Sequence, residues 1–359
     1  MTTKTNSGNF FEDFRLGQVI NHATPRTVTA GDVALYTALY GSRFAVNSSA
    51  EFAKKIGLAA ESFGTLAPVD DLLAFHVVFG KTVPDISLNA VANLGYASGR
   101  FGEALYPGDT VTTTSTVIGL KENSNKQTGV VYVRSVGTNQ RQEMVVEYIR
   151  WVMVKKRDVA ATIAEEKVPE LPGAVAAADL IIPDGLDLTA YDAALAGSPY
   201  LWDDYAVGEK IDHVDGMTIE EAEHMMATRL WQNTAKVHFN QFTEGQGRFG
   251  RRLIYGGHII SLARALSFNG LGNAFKIVAI NGGRHTNPTF ADDTIHAWTE
   301  VLDKIEIPGR KDVGALRLRL VATKNQPCAA FPLKAENGKD FDAAVALDFD
   351  YTVLMPRGR

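Results

Sequence analysis

Cysteine is nearly absent from this sequence: Cys328 is the only one in 359 residues. No intrachain disulfide can therefore form, and a reducing, cytoplasmic setting is the expectation. A nucleophile built on Cys328 finds no signature in the surrounding PCAAF, and lone thiols are commonly inert filler. A basic excess is also lacking. With 36 Lys and Arg against 41 Asp and Glu the formal charge is -5, and no basic run offsets it, so a nucleic-acid partner is not expected. No run of about 18 apolar residues exists to span a bilayer. The opening MTTKTNSGNFFEDF has no apolar stretch of the kind a secretion signal needs. The spacings of His22, His213, His258, His285 and His296 match no metal-ligand pattern, so no metal is implied. What is present is an ordinary globular composition, 45% hydrophobic and 21% charged, over a length suited to two domains.

The most informative feature is an internal repeat. FFEDFRLGQVINH (Phe10 to His22) returns as YLWDDYAVGEKIDH (Tyr200 to His213), aligning Phe14 with Tyr205, Gly17 with Gly208, Ile20 with Ile211 and His22 with His213. GRFGEALYPGDTV (Gly99 to Val111) aligns without gaps to GRHTNPTFADDTI (Gly283 to Ile295), and EYIRWVMVKKR pairs with DFDYTVLMPR. The offset drifts only by loop-sized amounts, as expected of two copies of one fold. Residues 158–198 between the copies are rich in Ala, Pro, Gly and Asp without a long periodic pattern, which reads as a linker. The expected organisation is a first unit at 1–157, a linker at 158–198 and a second unit at 199–359.

In the second unit, Thr218-Ile-Glu-Glu221 has the spacing of a capping box, and Ala222, Met225, Met226, Arg229 and Leu230 continue it as a helical stripe. Asn233 falls near the end of that helix and His238 just beyond it. A second helix is predicted from Gly256-Gly257 through HIISLARALSFNGLG, closed by Gly270 and Gly272, and apolar on nearly every side. Four strand-like runs follow: KIVAING, TIHAWTEVL, ALRLRLVAT and AVALDFDYTVLM. In ALRLRLV, Leu316, Leu318 and Leu320 share the face opposite Arg317 and Arg319. The first unit repeats the order with VANLGYA, TVTTTSTVI, GVVYVRSVG and VVEYIRWVMV. The fold class is α+β, each unit wrapping an antiparallel sheet around a helix, with the two sheets edge to edge as a built-in dimer.

Both halves resemble the hotdog-fold MaoC-like dehydratases and (R)-specific enoyl-CoA hydratases, in double-hotdog form. The carriers are the helix-plus-QNTAKVH segment, the GGH helix start and the arginine-led strand before an Asp-Thr turn. The runs FFEDFRLGQVINHATPRTVTAGDVALYTALYG and FHVVFGKTVPDISLNAVANLGYASGRF are similar to the mesaconyl-CoA hydratase (beta-methylmalyl-CoA dehydratase, 2-methylfumaryl-CoA hydratase) branch. That resemblance implies reversible hydration of mesaconyl-CoA to beta-methylmalyl-CoA in the ethylmalonyl-CoA pathway. It implies a CoA thioester as partner, no cofactor, and a homo-oligomer.

The resemblance also implies a site. The family pairs an Asp with a His five positions on; here Asn233 takes the Asp position, Gln232 the glycine before it, and His238 the His. Ser42 and Asn47 hold the same positions in the first unit, and neither titrates near neutrality, so the second unit is expected to hold the active centre. The first would shape the acyl or CoA groove. Asn233 can hold a water but cannot take its proton, leaving acid/base work to His238, or to a carboxylate such as Glu244. The backbone N–H of Gly257, at the start of a helix, suits a developing thioester oxyanion; a glycine needed only for a tight turn reads equally well. Arg248, Arg251, Arg252, Arg284 and Lys236 are candidates for the substrate's free carboxylate or the CoA phosphates. Gly245-Gln-Gly247-Arg-Phe-Gly250 spells a dinucleotide fingerprint but follows no strand, so no nicotinamide site is expected. Two other functions fit the same residues, a hotdog acyl-CoA thioesterase and a non-catalytic acyl-CoA-binding protein.

Overall fold

Alternating apolar and polar residues put ten strands into one antiparallel sheet. The computed structural model describes residues 4–62, 64–163 and 165–358. In chain order the strands are β1 (Val19–Thr27), β2 (Ala90–Phe101), β3 (Thr110–Glu122), β4 (Thr128–Thr138) and β5 (Met144–Lys155) in the first unit. The second unit supplies β6 (Lys210–Thr218), β7 (Lys276–His285), β8 (Thr294–Glu306), β9 (Val313–Lys324) and β10 (Val345–Pro356). Across the sheet they run β1-β3-β4-β5-β2-β7-β10-β9-β8-β6. The second half mirrors the first, and the units join at β2 and β7, where Tyr96 lies opposite Gly283 and Arg100 opposite Ala279. All eight predicted strands are present. The two missed ones, β1 and β6, are the outermost; their mostly exposed residues carry little hydrophobic period. In β9, Leu316, Leu318 and Leu320 are fully buried, while Arg317 and Arg319 reach Asp350 and Asp348 of β10 at 2.6 and 2.7 Å.

Four helices matter for the site: α1 (Ala30–Tyr40), α2 (Asp71–Thr82), α3 (Glu221–Leu230) and α4 (Gly256–Leu266). Nearly every residue of α2 and α4 is buried, so these are the two wrapped helices. Two local expectations change. Thr218 does not cap α3: it ends β6, its hydroxyl 2.8 Å from that of Thr294, and the helix begins only after Glu220, without a side-chain cap. Strand pairing holds Thr218 extended and Ile219 drops into the core, so the chain cannot turn until later. The true capping box is in the first unit, between Thr29 and Asp32. Likewise α4 stops at Leu266, four residues before Gly270: the Ser267 hydroxyl donates to the Arg264 carbonyl, and a kinked turn with Gly270 at φ +104° follows.

The repeat extends to individual hydrogen bonds. His22 joins Asp85 (2.7 Å) and Ser115 (2.8 Å); His213 joins the Asn269 carbonyl (2.6 Å) and Thr299 (2.8 Å). Asn89 donates to the carbonyls of Ser7 and Asn9, as Asn273 does to those of Ser198 and Tyr200. The described residues of 158–198 are mainly turns and irregular chain, with one short helix among them, Ala177–Asp179. They touch both units: Lys167 bridges Leu120 of β3, and Leu180, Leu186 and Leu188 pack in a cluster that holds Phe52 and Ile56 of the first unit and Val278, Ala315 and Leu354 of the second. Among the described residues no helix is long and apolar enough to cross a membrane.

Candidate active site

The segment after α3 is shaped by its own amides and by the other unit. Gln232 adopts a left-handed φ of 53°. Asn233 is buried; its N–H donates to the Thr228 carbonyl (2.9 Å) and its Oδ1 accepts the Ala235 N–H (3.0 Å). This side-chain turn starts the short helix Lys236–Phe239 that carries His238. With its oxygen committed to the backbone, Asn233 retains only amide N–H donors for a ligand. The first unit supplies the seat. The Trp231 carbonyl lies so close to Gly80 of α2 that a Cβ there would stand 1.8 Å from it, and Lys81 donates to the Gln232 side chain. Only glycine admits this approach.

His238 Nδ1 is 3.0 Å from the Leu253 carbonyl. A carbonyl only accepts, so Nδ1 carries the proton and Nε2 presents the lone pair. Burial pushes the His238 pKa down to about 4, so the ring is a neutral base near pH 7. Tyr255, the N-cap of α4, sits edge-on with ring centroids 5.4 Å apart. Its backbone N–H donates to His224 Nε2 (2.9 Å). A Cβ on Gly257 would meet the Tyr255 ring at 2.3 Å and the His76 ring at 2.5 Å. This glycine therefore serves close packing, not a turn with positive φ. His76 bonds Ser261 (3.0 Å) and His258 bonds Tyr40 (2.7 Å). Burial lowers the pKa of both imidazoles to about 3. The half-buried ring of His238 is thus flanked by the rings of Tyr255 and His224.

The matching position in the first unit has the same frame without the base. Asn47 donates to the Pro68 carbonyl at 3.1 Å, as His238 does to Leu253, and Ser42 reaches Asp70 at 3.4 Å. Asp70 caps α2 as Tyr255 caps α4, and burial raises its carboxyl to about 6.

The remaining predicted residues lie farther out. Glu244 ends the short helix Gln241–Glu244, partly exposed, and among the described residues no hydrogen bond or ion pair joins its carboxylate to His238. Lys236 and Arg248 are exposed, Arg248 stacking over Phe249. Arg251 donates to the Ala291 carbonyl (3.0 Å) and Arg252 pairs with Glu221 (2.7 Å). Arg284 is exposed on β7; its register partner Asp348 is bonded by Arg319. Cys328 is buried beside Thr323 and its thiol is pushed up to about 11, the opposite of an activated nucleophile. The residues around His238 that sequence reasoning missed are Tyr255, His224, Trp231 and His76. Tyr255 directly precedes the Gly-Gly-His start and was findable as its N-cap. Trp231 stands two residues before Asn233 and His224 lies in the helix that leads to it, whereas His76 comes from a distant segment of the first unit.

The model of the mesaconyl-CoA hydratase family matches residues 1–332. This chain belongs to the mesaconyl-CoA hydratase family. It is 67% identical over 357 residues, 99% of each chain, to a beta-methylmalyl-CoA dehydratase of Chloroflexus aurantiacus. It is 62% identical over 356 residues, 99% of this chain and 100% of the other, to a mesaconyl-CoA hydratase of Cereibacter sphaeroides. A solved MaoC domain dehydratase structure from Chloroflexus aurantiacus superposes over all of both chains with a TM-score of 0.95 at 66% identity. A Mycobacterium tuberculosis protein described as a double hotdog, 22% identical, matches 98% of this chain and 99% of its own with a TM-score of 0.72 and bears on the fold alone. The family's fold, two hotdog units in one chain, is the one described above.

Proposed function

We propose that this protein is a hydro-lyase that interconverts mesaconyl-CoA and water with beta-methylmalyl-CoA, without a cofactor. End-to-end identity of 67% and 62% to proteins named for the two directions of this reaction carries the reading. The site chemistry supports it. In hydration, His238 Nε2 takes a proton from water as the oxygen adds to the β carbon, and the electron pair moves to the thioester as an enolate. The imidazolium then returns its proton to the α carbon, and dehydration reverses each step. Asn233 holds the water by its amide N–H. Gly257 lies in the first turn of α4, whose amides lack intrahelical partners and suit the thioester oxygen. Arg248, Arg251, Arg252, Arg284 and Lys236 serve the CoA phosphates on the more exposed side, and Glu244 is the reserve acid/base. The reading extends to the ethylmalonyl-CoA pathway, a cytoplasmic location in keeping with the single buried thiol, and a homo-oligomer.

The test is an assay of purified protein with mesaconyl-CoA. Loss of enoyl-thioester absorbance without release of free thiol is expected, and His238→Ala should lower kcat on the order of 10²–10⁴-fold. Thiol release would instead mean a thioesterase, and full turnover by folded His238→Ala would remove His238 from the chemistry.

A further inference from the structure

Arg150 is fully buried on the inner side of β5. Its guanidinium lies 4.2 Å from the Phe79 ring centroid and donates to the hydroxyls of Thr82 (2.8 Å) and Ser87 (3.3 Å), while its Nε has no partner. Among the described residues no carboxylate forms an ion pair with it. A buried guanidinium without an anion is costly, and proteins ordinarily pair or expose such a group. Beyond those two hydroxyls, the ionisable groups that act on its charge are the phenols Tyr148, Tyr96 and Tyr255. Burial holds the Tyr96 and Tyr255 hydroxyls protonated, so neither supplies the missing negative charge.

The surroundings lead back to the candidate active site. Tyr255 is 5.6 Å from Phe79 and 5.4 Å from His238, centroid to centroid. Its hydroxyl is buried and unpartnered, as are Trp231 Nε1 and His76 Nδ1. A run of ring contacts leads from Arg150 over Phe79 to Tyr255, and from Tyr255 to Trp231 and His76, and the unpartnered polar atoms along it suit an anion carried in by a ligand. The repeat isolates this feature to one unit. Arg150 faces Tyr96 across β2 and β5, and the matching pair across β7 and β10 is Tyr351 with Ile280. The cation therefore belongs to the unit whose motif lacks the histidine.

We propose that Arg150, assisted by the Tyr255 hydroxyl, binds the free carboxylate of the acyl group and selects dicarboxylic over monocarboxylic acyl thioesters. This inference rests on the acyl-CoA reading above. It replaces the surface arginines as holders of that carboxylate and leaves them the CoA phosphates.

Calorimetric titration of the full-length protein with mesaconyl-CoA and with crotonyl-CoA, which lacks the second carboxylate, tests it. Each ligand is first brought to hydration equilibrium with a trace of the enzyme, so that the heat read is that of binding and not of turnover. The wild type should prefer mesaconyl-CoA at least tenfold. Arg150→Met should erase the preference by weakening mesaconyl-CoA tenfold or more while changing crotonyl-CoA less than twofold. Arg150→Lys, which keeps the charge but not the fork, should retain part of the preference and covers the case in which the methionine variant does not fold. Equal weakening of both ligands by Arg150→Met would make Arg150 structural, and an unchanged preference in either variant would overturn the assignment. Failure of the wild type to bind either thioester would sink the acyl-CoA reading itself, a result distinct from those two.

Discussion

The two units share a fold, a helix-capping position and matched hydrogen bonds, yet they differ in the polar groups they carry inside, at two positions above all. At the end of its motif the second unit has His238 where the first has Asn47, both directed at an equivalent backbone carbonyl. On the strand beneath, the first unit has Arg150 where the second has Tyr351. Duplication supplied two equal frames, and each has kept a different polar group. Because α2 seats the Trp231–Asn233 segment and Tyr255 stands between His238 and Phe79, the two differences open onto one region. A single unit would hold the base without the buried cation, or the cation without the base.

Acid should expose the largest difference between the units. Burial depresses six histidines: His76, His213, His224, His238, His258 and His285, to about 3, 4, 2, 4, 3 and 4. Five of these belong to the second unit. Unfolded histidines protonate near pH 6.5 and these do not until much lower, so the unfolded state binds more protons and stability falls as pH drops from about 6.5 toward 4. Each group adds at most about 1.36 kcal/mol per pH unit in that window, an upper bound of about 12 kcal/mol for six groups between pH 6.5 and 5, so chemical denaturation at pH 7 and pH 5 should differ by at least several kcal/mol. A flat profile would show that these rings are hydrated in solution.

A smaller effect probes how one unit seats the other. In a helix Gly→Ala usually gains about 0.5–1 kcal/mol, but at Gly80 the new Cβ would stand 1.8 Å from the Trp231 carbonyl. The clash should win, with Gly80→Ala costing about 1–3 kcal/mol in denaturant unfolding. Hydratase activity should fall with it, since the displaced segment carries Asn233. Retained activity would mean that the motif does not depend on α2. The smallest effect is expected at the counterpart of His238. Asn47→Ala loses one bond to the Pro68 carbonyl, about 1 kcal/mol of stability, with turnover within twofold of wild type. A large loss of turnover in a folded Asn47→Ala protein would make the first unit's motif functional after all.

Much of this was legible beforehand because duplication acts on sequence directly. The aligned blocks gave two units, eight of the ten strands follow the period of two, and the motif spacing singled out Asn233 and His238. β1 and β6 were missed because edge strands need little apolar alternation. The capping box at Thr218 misled because a strand partner, Thr294, overrode a local helix signal. Arg150 was passed over in favour of arginines nearer the motif, since charge in a sequence carries no label of depth.

The sequence by itself determined the repeat, the alternation that makes one sheet, and the absence of a titrating side chain at Ser42 and Asn47 of the first copy. These are local or self-referential properties that need no third dimension. Only the tertiary structure decided the tautomer of His238, through the Leu253 carbonyl fifteen residues away. It alone placed Tyr255 between His238 and Phe79, and left Arg150 buried without an anion. Proton position, desolvation and charge pairing depend on which distant groups share a small dry volume, and chain order does not specify that.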